Sequence, residues 1–306
     1  MQSNITFSII IPTYNRAHLI LKTLNSVFNQ TYNNYEIIIV DNGSVDNTLE
    51  ILSPLELENK IKIIRNPVNQ ERSVSRNLGM VAATGKFLTL LDSDDLMYED
   101  NLKNAYEFIL SSPEILIFHN LYHLVDMEGA IIYQYHFPNI KNATRSITNG
   151  NFLSCIGVFI SQIIYTEYRF ETNPVIIGSE DWELWIRILA KYKLGRINKV
   201  NSAIVHHPGR SITSYSLESI INRKKFIITQ IENNPNLYKV YEKYIININS
   251  SAYLFAASLA NSGGMYDEAR KYLKIAFRNK FILIFEVKFL RILQISLFKI
   301  KNKHNI

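Results

Sequence analysis

Three carboxylates crowd into the four residues Asp92-Ser93-Asp94-Asp95, directly after the apolar run Phe87 to Leu91. Their mutual repulsion at the mouth of a buried strand is costly unless a cation or donor groups compensate. Hard carboxylate oxygens suit Mg2+ or Mn2+, which complete their shells with water and substrate phosphates. The same acids could instead cap the helix that follows. A second acidic pair, Glu180-Asp181, follows Gly178-Ser179 and opens a stretch with Trp182, Trp185 and Leu189 at helical spacing. Carboxylates there either stabilise a helix N-terminus, by about 0.3 to 1 kcal/mol each, or take a proton from a hydroxyl.

The elements that must position these groups are legible as alternating patterns. Phe7 to Ile11, Tyr35 to Val40, Ile61 to Ile64 and Phe87 to Leu91 are short apolar, mostly β-branched runs that read as buried strands. Between them, apolar residues at helical spacing predict helices near Ala17 to Asn29, Asp46 to Leu52 and Ser73 to Ala83. Strand and helix in alternation predict an α/β fold with a mostly parallel sheet and right-handed crossovers. Ligands bind beyond the carboxyl ends of such strands, which is where Thr13, Asp41 and the acidic cluster fall. There is no Gly-x-Gly-x-x-Gly after the first strand and no Gly-x-x-x-x-Gly-Lys. A nucleotide bound here would need another device to neutralise its phosphates.

Beyond residue 110 the pattern is mixed, with strands expected at Ile115 to His119, Ile131 to Tyr135 and Gly157 to Tyr165 and a helix at Asp181 to Lys191. From Leu217 onward it is helical, over Leu217 to Glu232, Leu237 to Ala260 and Met265 to Asn279. A boundary near Ser214 divides residues 1–214, with a donor half over 1–112 and an acceptor half over 113–214, from a helical region over 215–306.

The chain has 306 residues, 47% of them hydrophobic and 20% charged, which excludes a disordered or collagen-like protein. A single cysteine, Cys155, excludes an internal disulfide and a cysteine metal site and favours a reducing compartment. No secretory leader is expected, because Met1 to Asn4 carry no basic residue and the apolar run Phe7 to Ile11 is too short, and no transmembrane helix, because Glu286, Lys288 and Arg291 interrupt the most apolar late stretch, Phe281 to Phe298. That stretch reads as an amphipathic helix. Residues 265–306 hold ten Lys or Arg against three acids, so the net charge of +6 resides almost entirely there. A basic tail interleaved with Phe, Ile and Leu can sit on an anionic membrane surface, although a merely solvated helix face gives similar counts.

Five motifs in order carry a family resemblance. They are Phe7-Ser8-Ile9-Ile10-Ile11-Pro12-Thr13-Tyr14-Asn15-Arg16, Ile37-Ile38-Ile39-Val40-Asp41-Asn42-Gly43-Ser44, Ser75-Arg76-Asn77-Leu78-Gly79, Asp92-Ser93-Asp94-Asp95, and Ser179-Glu180-Asp181-Trp182-Glu183-Leu184-Trp185. Over roughly residues 5 to 212 the chain resembles family 2 glycosyltransferases of the GT-A fold. The resemblance implies inverting transfer of a sugar from a nucleotide-diphosphate donor, UDP favoured, with Mn2+ or Mg2+ bridging the diphosphate. It places Pro12, Thr13, Tyr14, Asn15, Asp41, Asn42, Arg76, Asp92 and Ser93 around the donor and Asp94 and His207 on the metal, with Asp95 a further carboxylate. It makes Asp181 the general base and Glu180 its fallback. Asn42 departs from the family, where a second acid is common, and so does Glu71-Arg72-Ser73-Val74, where smaller residues are common.

The expected partners are a nucleotide sugar, a glycan or lipid-linked glycan acceptor and an anionic membrane surface, with no nucleic acid. The expected location is cytoplasmic, peripheral on the inner face of the membrane. A non-catalytic nucleotide- or carbohydrate-binding protein, or a membrane-surface scaffold keeping the fold, is the alternative reading. A nucleotidyltransferase would show a Gly-rich basic loop after the first strand, and Thr13-Tyr14-Asn15-Arg16 has no Gly.

Overall fold

Strand β1 (Phe7–Thr13) is buried along almost its whole length, because Phe7, Ile9, Ile10 and Ile11 leave neither face for water. In a computed structural model, which describes residues 6–209 and 216–300, it lies between β2 (Tyr35–Asp41) and β4 (Phe87–Leu90), parallel to both. β3 (Lys62–Arg65) extends the parallel set beyond β2. Helices α1 (Ile20–Phe28), α2 (Thr48–Leu57), α3 (Arg72–Ala82) and α4 (Asn101–Ser111) alternate with the strands, as the periodicity predicts. Gly79 lets α3 lie directly on β1, since a Cβ there would stand 2.3 Å from Ile10 Cγ2.

The sheet then changes character. The short β5 (Leu96–Met97) precedes β6 (Ile117–Val125), β7 (Ile131–Gln134), β8 (Val158–Ser161) and β9 (Leu194–Val205), giving, among the described residues, nine strands in the order β3-β2-β1-β4-β8-β6-β9-β5, with β7 paired to β6. β8 is antiparallel to both β4 and β6, and β9 is parallel to β6. Therefore β1, β2, β3, β4, β6 and β9 all run one way and present their carboxyl ends at one edge. This is the mixed α/β sheet flanked by helices that the sequence predicts.

Two differences from the sequence expectation have physical reasons. The run Gly157 to Tyr165 is not one strand: it turns after Ser161 into α6 (Gln162–Glu167), and apolar residues serve both elements. β9 has no counterpart in the expectation, because Arg196, Asn198, Lys199 and Asn201 break its apolar pattern. Several of its polar groups find partners at long range, although the buried Asn201 Nδ2 has none. Asn101 Nδ2 donates to the Asn201 carbonyl at 2.8 Å, and Asn104 Nδ2 to Asn201 Oδ1 at 3.0 Å.

The chain forms two compact units. One holds the described residues of Met1–Ala143, Phe152–Pro174 and Glu180–Arg210, including the sheet and α7 (Glu180–Leu189). The other holds the described residues of Thr144–Asn151, Val175–Ser179 and Ser211–Ile306. The second contains most of the short α5 (Ala143–Thr148), then α8 (Leu217–Asn233), α9 (Pro235–Tyr241), α10 (Ile245–Ser262), α11 (Tyr266–Asn279) and α12 (Val287–Phe298). The single helix expected over Leu237 to Ala260 is thus two. A 3-10 turn over Phe281–Phe285 likewise precedes α12, where one amphipathic helix was expected. Leu254, Ala257, Leu273, Ala276, Leu283, Phe289 and Ile292 form this unit's core.

Candidate active site

The shared sheet edge collects the loops that follow β1, β2 and β4 and the tail of β9. Thr13 ends β1 opposite Asp41, which ends β2, and both are buried. The Thr13 hydroxyl is buried without a hydrogen-bond partner, while the Asp41 carboxylate accepts the Ser44 amide at 3.2 Å. Pro12 and the exposed Tyr14 flank Thr13. Asn15 has φ +50°, a conformation asparagine tolerates better than most residues, and its Oδ1 accepts the Val45 amide at 2.9 Å. The Asn15 amide donates in return to Ser44 Oγ, and the Arg16 amide donates to Thr48 Oγ1, each at 2.9 Å. The loops after β1 and β2 are therefore knitted together.

Asn42 is brought to this edge, but its amide is engaged by the chain beside it. Nδ2 donates to Asn69 Oδ1 and the Gln70 carbonyl at 2.7 and 2.6 Å, while Oδ1 accepts from Asn66 Nδ2 and the Gln70 amide. A carboxylate could make only the accepting half of that network. Gly43, at φ +77°, lets the same segment approach, since a Cβ would lie 2.8 Å from the Val68 carbonyl carbon. Asn42 thus holds the 66–70 segment through both ends of its amide.

Arg76, on α3, is the hub. It is 2% exposed; Nη2 donates to Asp92 Oδ1 and Nη1 to Glu180 Oε1, both at 2.9 Å, and its guanidinium lies 5.3 Å from the Phe170 ring centre. Arg72 Nε approaches the same Glu180 oxygen at 3.6 Å. Glu180, itself buried, is thus engaged by two arginines.

The acidic loop divides its labour. Asp94 Oδ2 lies 3.0 Å from His207 Nε2 and 3.4 Å from Arg16 Nη2. Ser93 is buried between the two outer acids, and Asp95 turns away to accept the Val205 amide at 2.9 Å, pinning the end of β9 so that His207 follows in place. Asp95 is thus engaged as a brace for the strand end that leads to His207. Asp94 and His207 offer one hard oxygen and one imidazole nitrogen. Among the described residues no group of three or more His, Cys, Asp or Glu side chains could hold a metal, so a cation would need water or phosphate to complete its shell.

Asp181 stands half-buried in the first turn of α7 and accepts the Trp182 amide at 2.7 Å. Trp182 and Trp185, at 2% and 0% exposure, anchor that helix, and Trp185 Nε1 donates to the Leu153 carbonyl at 3.1 Å. Asp181 is electrically close to the arginine cluster through Cys155. Burial pushes that thiol well up, Arg76 opposes, and the carboxylates of Asp181, Asp92 and Glu180 reinforce the rise. Cys155 and Phe170 carry no motif that marks them in the sequence, and Arg16 lies in the first motif without a role assigned to it there.

The family model for glycosyl transferase family 2 matches residues 8–170. The chain belongs to that family. An uncharacterized glycosyltransferase of Rickettsia conorii is 31% identical over 198 residues, which cover 64% of this chain and 32% of that one. The chain spans about a third of the length of the Rickettsia relatives it matches. An Escherichia coli relative, the UDP-Glc:alpha-D-GlcNAc-diphosphoundecaprenol beta-1,3-glucosyltransferase WfgD, is 26% identical, covering 78% of this chain and 90% of its own. The solved structure of Staphylococcus aureus TarS 1-349 in complex with UDP-GlcNAc superposes with a TM-score of 0.64 at 18% identity, over 98% of this chain and 93% of that one. The family 2 chain therefore has the GT-A fold.

Proposed function

We propose that this chain moves a sugar from a nucleotide diphosphate, UDP favoured, to a hydroxyl of a surface-glycan acceptor, with inversion at the anomeric carbon. The observation that carries the reading is the gathering, around one sheet edge, of Asp94 with His207, a clamped Arg76 and the half-buried Asp181. At the β1 and β2 ends the Asp41 carboxylate would accept a uracil ring N–H beside the partnerless Thr13 hydroxyl. Arg76 would face the diphosphate, and Asp92 the ribose or the sugar.

The donor set of Asp94 and His207 fits Mn2+ or Mg2+ held jointly with substrate phosphates. Such an ion, when bound, stabilises negative charge on the departing diphosphate, so no side chain need protonate it. The acceptor oxygen forms its bond to the anomeric carbon as the carbon–oxygen bond to the β-phosphate breaks. Asp181 takes the hydroxyl proton, and UDP leaves with the electron pair. Glu180 acts through Arg76 as a positioning residue.

A lipid-linked acceptor is supported by the diphosphoundecaprenol substrate of the E. coli relative. It is also supported by the second unit, where Phe281, Phe285, Val287 and Phe298 are 73%, 79%, 80% and 72% exposed among eight Lys or Arg and three acids over residues 265–300. Such a surface fits the anionic inner face of a membrane, and no helix among the described residues is long and apolar enough to cross one. Sedimentation with phosphatidylglycerol vesicles but not phosphatidylcholine vesicles is the expected result, and equal recovery with both would overturn it.

The function itself is tested by incubating the protein and Mn2+ with UDP-Glc, UDP-Gal, UDP-GlcNAc or UDP-GalNAc and a short-chain lipid GlcNAc-diphosphate. NMR of the product should show a β linkage from an α-linked donor. An α product would overturn inversion, and failure of every nucleotide sugar to release UDP would overturn the donor assignment.

A further inference from the structure

The sheet edge that holds His207 also receives the end of β6, whose Val125 pairs with Val205 and accepts the His206 amide at 2.7 Å. From there the chain folds back as β7, with Tyr133 opposite Leu124 and Gln134 opposite His123. Behind this hairpin lies a run of aromatic rings. Tyr122 packs 4.8 Å from Tyr135 and 5.1 Å, edge-on, from Phe137, and Tyr135 packs 5.1 Å, edge-on, from Tyr133. Exposure rises along it from Tyr122 at 7%, through the half-buried Tyr135, to Tyr133 at 39%.

The rings are braced before any ligand arrives. The Arg196 guanidinium lies 5.8 Å from the Phe137 ring centre, and its Nη2 donates to the Pro138 carbonyl at 2.6 Å. Its Nε donates to His119 Nε2 at 2.9 Å, and the His119 ring sits 5.8 Å from Phe137. Burial and the Arg196 charge bring the His119 pKa down to about 3, so the imidazole stays a neutral acceptor. At the inner end, Tyr122 Oη donates to the Phe152 carbonyl at 3.4 Å. The adjoining Leu153 carbonyl accepts from Trp185 Nε1 at 3.1 Å, so the inner end of the run abuts α7, whose first turn carries Asp181; burial first, then Tyr135 and the charge of Asp181, push the Tyr122 phenol up.

The run thus leads from the segment packed on α7, the helix that opens with Asp181, to solvent and ends in tyrosines, which pair an apolar face with a polar tip. A sugar ring has the complementary form, an apolar C–H face edged by hydroxyls. A hydrocarbon partner would leave the phenols without a role, and a rigid surface reduces the ordering cost of binding. We propose that Tyr133 and Tyr135 form the stacking platform for the acceptor sugar whose hydroxyl is presented to Asp181. This rests on the transfer reading above and adds to it the acceptor's place and chemical class.

Saturation-transfer difference NMR tests it directly, using the methyl glycosides of glucose, galactose, N-acetylglucosamine and rhamnose, each with UDP and Mn2+. The wild-type chain should transfer saturation to the ring C–H protons of at least one glycoside. Y133A and Y135A should lose about five-fold or more of that signal, while Y133F and Y135F keep most of it. Equal signals in wild type and the alanine variants, or no glycoside signal in wild type, would overturn the platform. UDP protons in the same samples separate the two readings. If they stay saturated while every glycoside fails, only the platform falls; if they too are silent, the donor assignment falls with it.

Discussion

The two halves of the sheet deliver groups to the same edge by different means. In β1 to β4 each strand is a short apolar run, and the residues just beyond it, Thr13, Asp41 and Asp92, are set by that strand's own position. In β6 and β9 the strand ends are set by contacts made from elsewhere. Asp95 holds the Val205 amide across 110 positions of sequence, and Asn101 and Asn104 pin Asn201. The strand ends on the proposed donor side are therefore set by their own strands, and those on the proposed acceptor side by contacts at long range. Arg76, Glu180 and Asp181 are where the two sides meet.

The sharpest way to break this division is to separate the neighbours at the junction. Asp181→Asn should lower transfer by about 10²- to 10⁴-fold, the range for removing a general base, while UDP affinity measured by calorimetry stays near wild type. Glu180→Gln should cost less in turnover and instead weaken UDP binding through Arg76. If the two variants behave alike, the assignment of base and clamp fails.

Stability should follow the same line. Glu180→Ala leaves Arg76 without one of its buried acidic partners, and breaking such a pair costs about 3–5 kcal/mol, read in urea unfolding. On the donor side, Asn42→Asp forfeits the two donated bonds to Asn69 and Gln70. A loss of about 1–3 kcal/mol is expected. A more stable variant would show that the amide network does not hold the 66–70 segment.

On the acceptor side the probe is pH. The unfolded chain protonates His119 near the ordinary value of 6.5, whereas the folded chain resists until about 3. Between these values the unfolded state binds the extra proton. Stability is therefore full above about pH 6.5 and falls as pH drops, by up to about 1.4 kcal/mol per unit from this residue. His119→Gln should flatten that part of the profile relative to wild type. An unchanged profile would remove the neutral-imidazole brace behind Phe137.

How much could be read beforehand follows from the same contrast. The runs Phe7 to Ile11 and Tyr35 to Val40 mark β1 and β2 because parallel strands buried on both faces need continuous apolar residues. The polar ends Thr13, Asp41 and the acidic loop follow from that reading. β9 escaped it because Asn201 and Lys199 are tied to α4, which no window of sequence contains. The roles of Asn42 and Asp95 were hidden for the same reason: each depends on a hydrogen bond to a distant segment. Tyr122, Tyr135 and Phe137 look like ordinary core residues until the β6–β7 hairpin brings their rings together.

The most direct test of the metal-bridged donor site is calorimetric titration of UDP into the protein with Mn2+, with EDTA, and with Mn2+ after Asp94→Asn. One-site binding that requires Mn2+ and is severely weakened by the substitution is the expected result. UDP binding of equal strength in EDTA, or no binding under any condition, would contradict it.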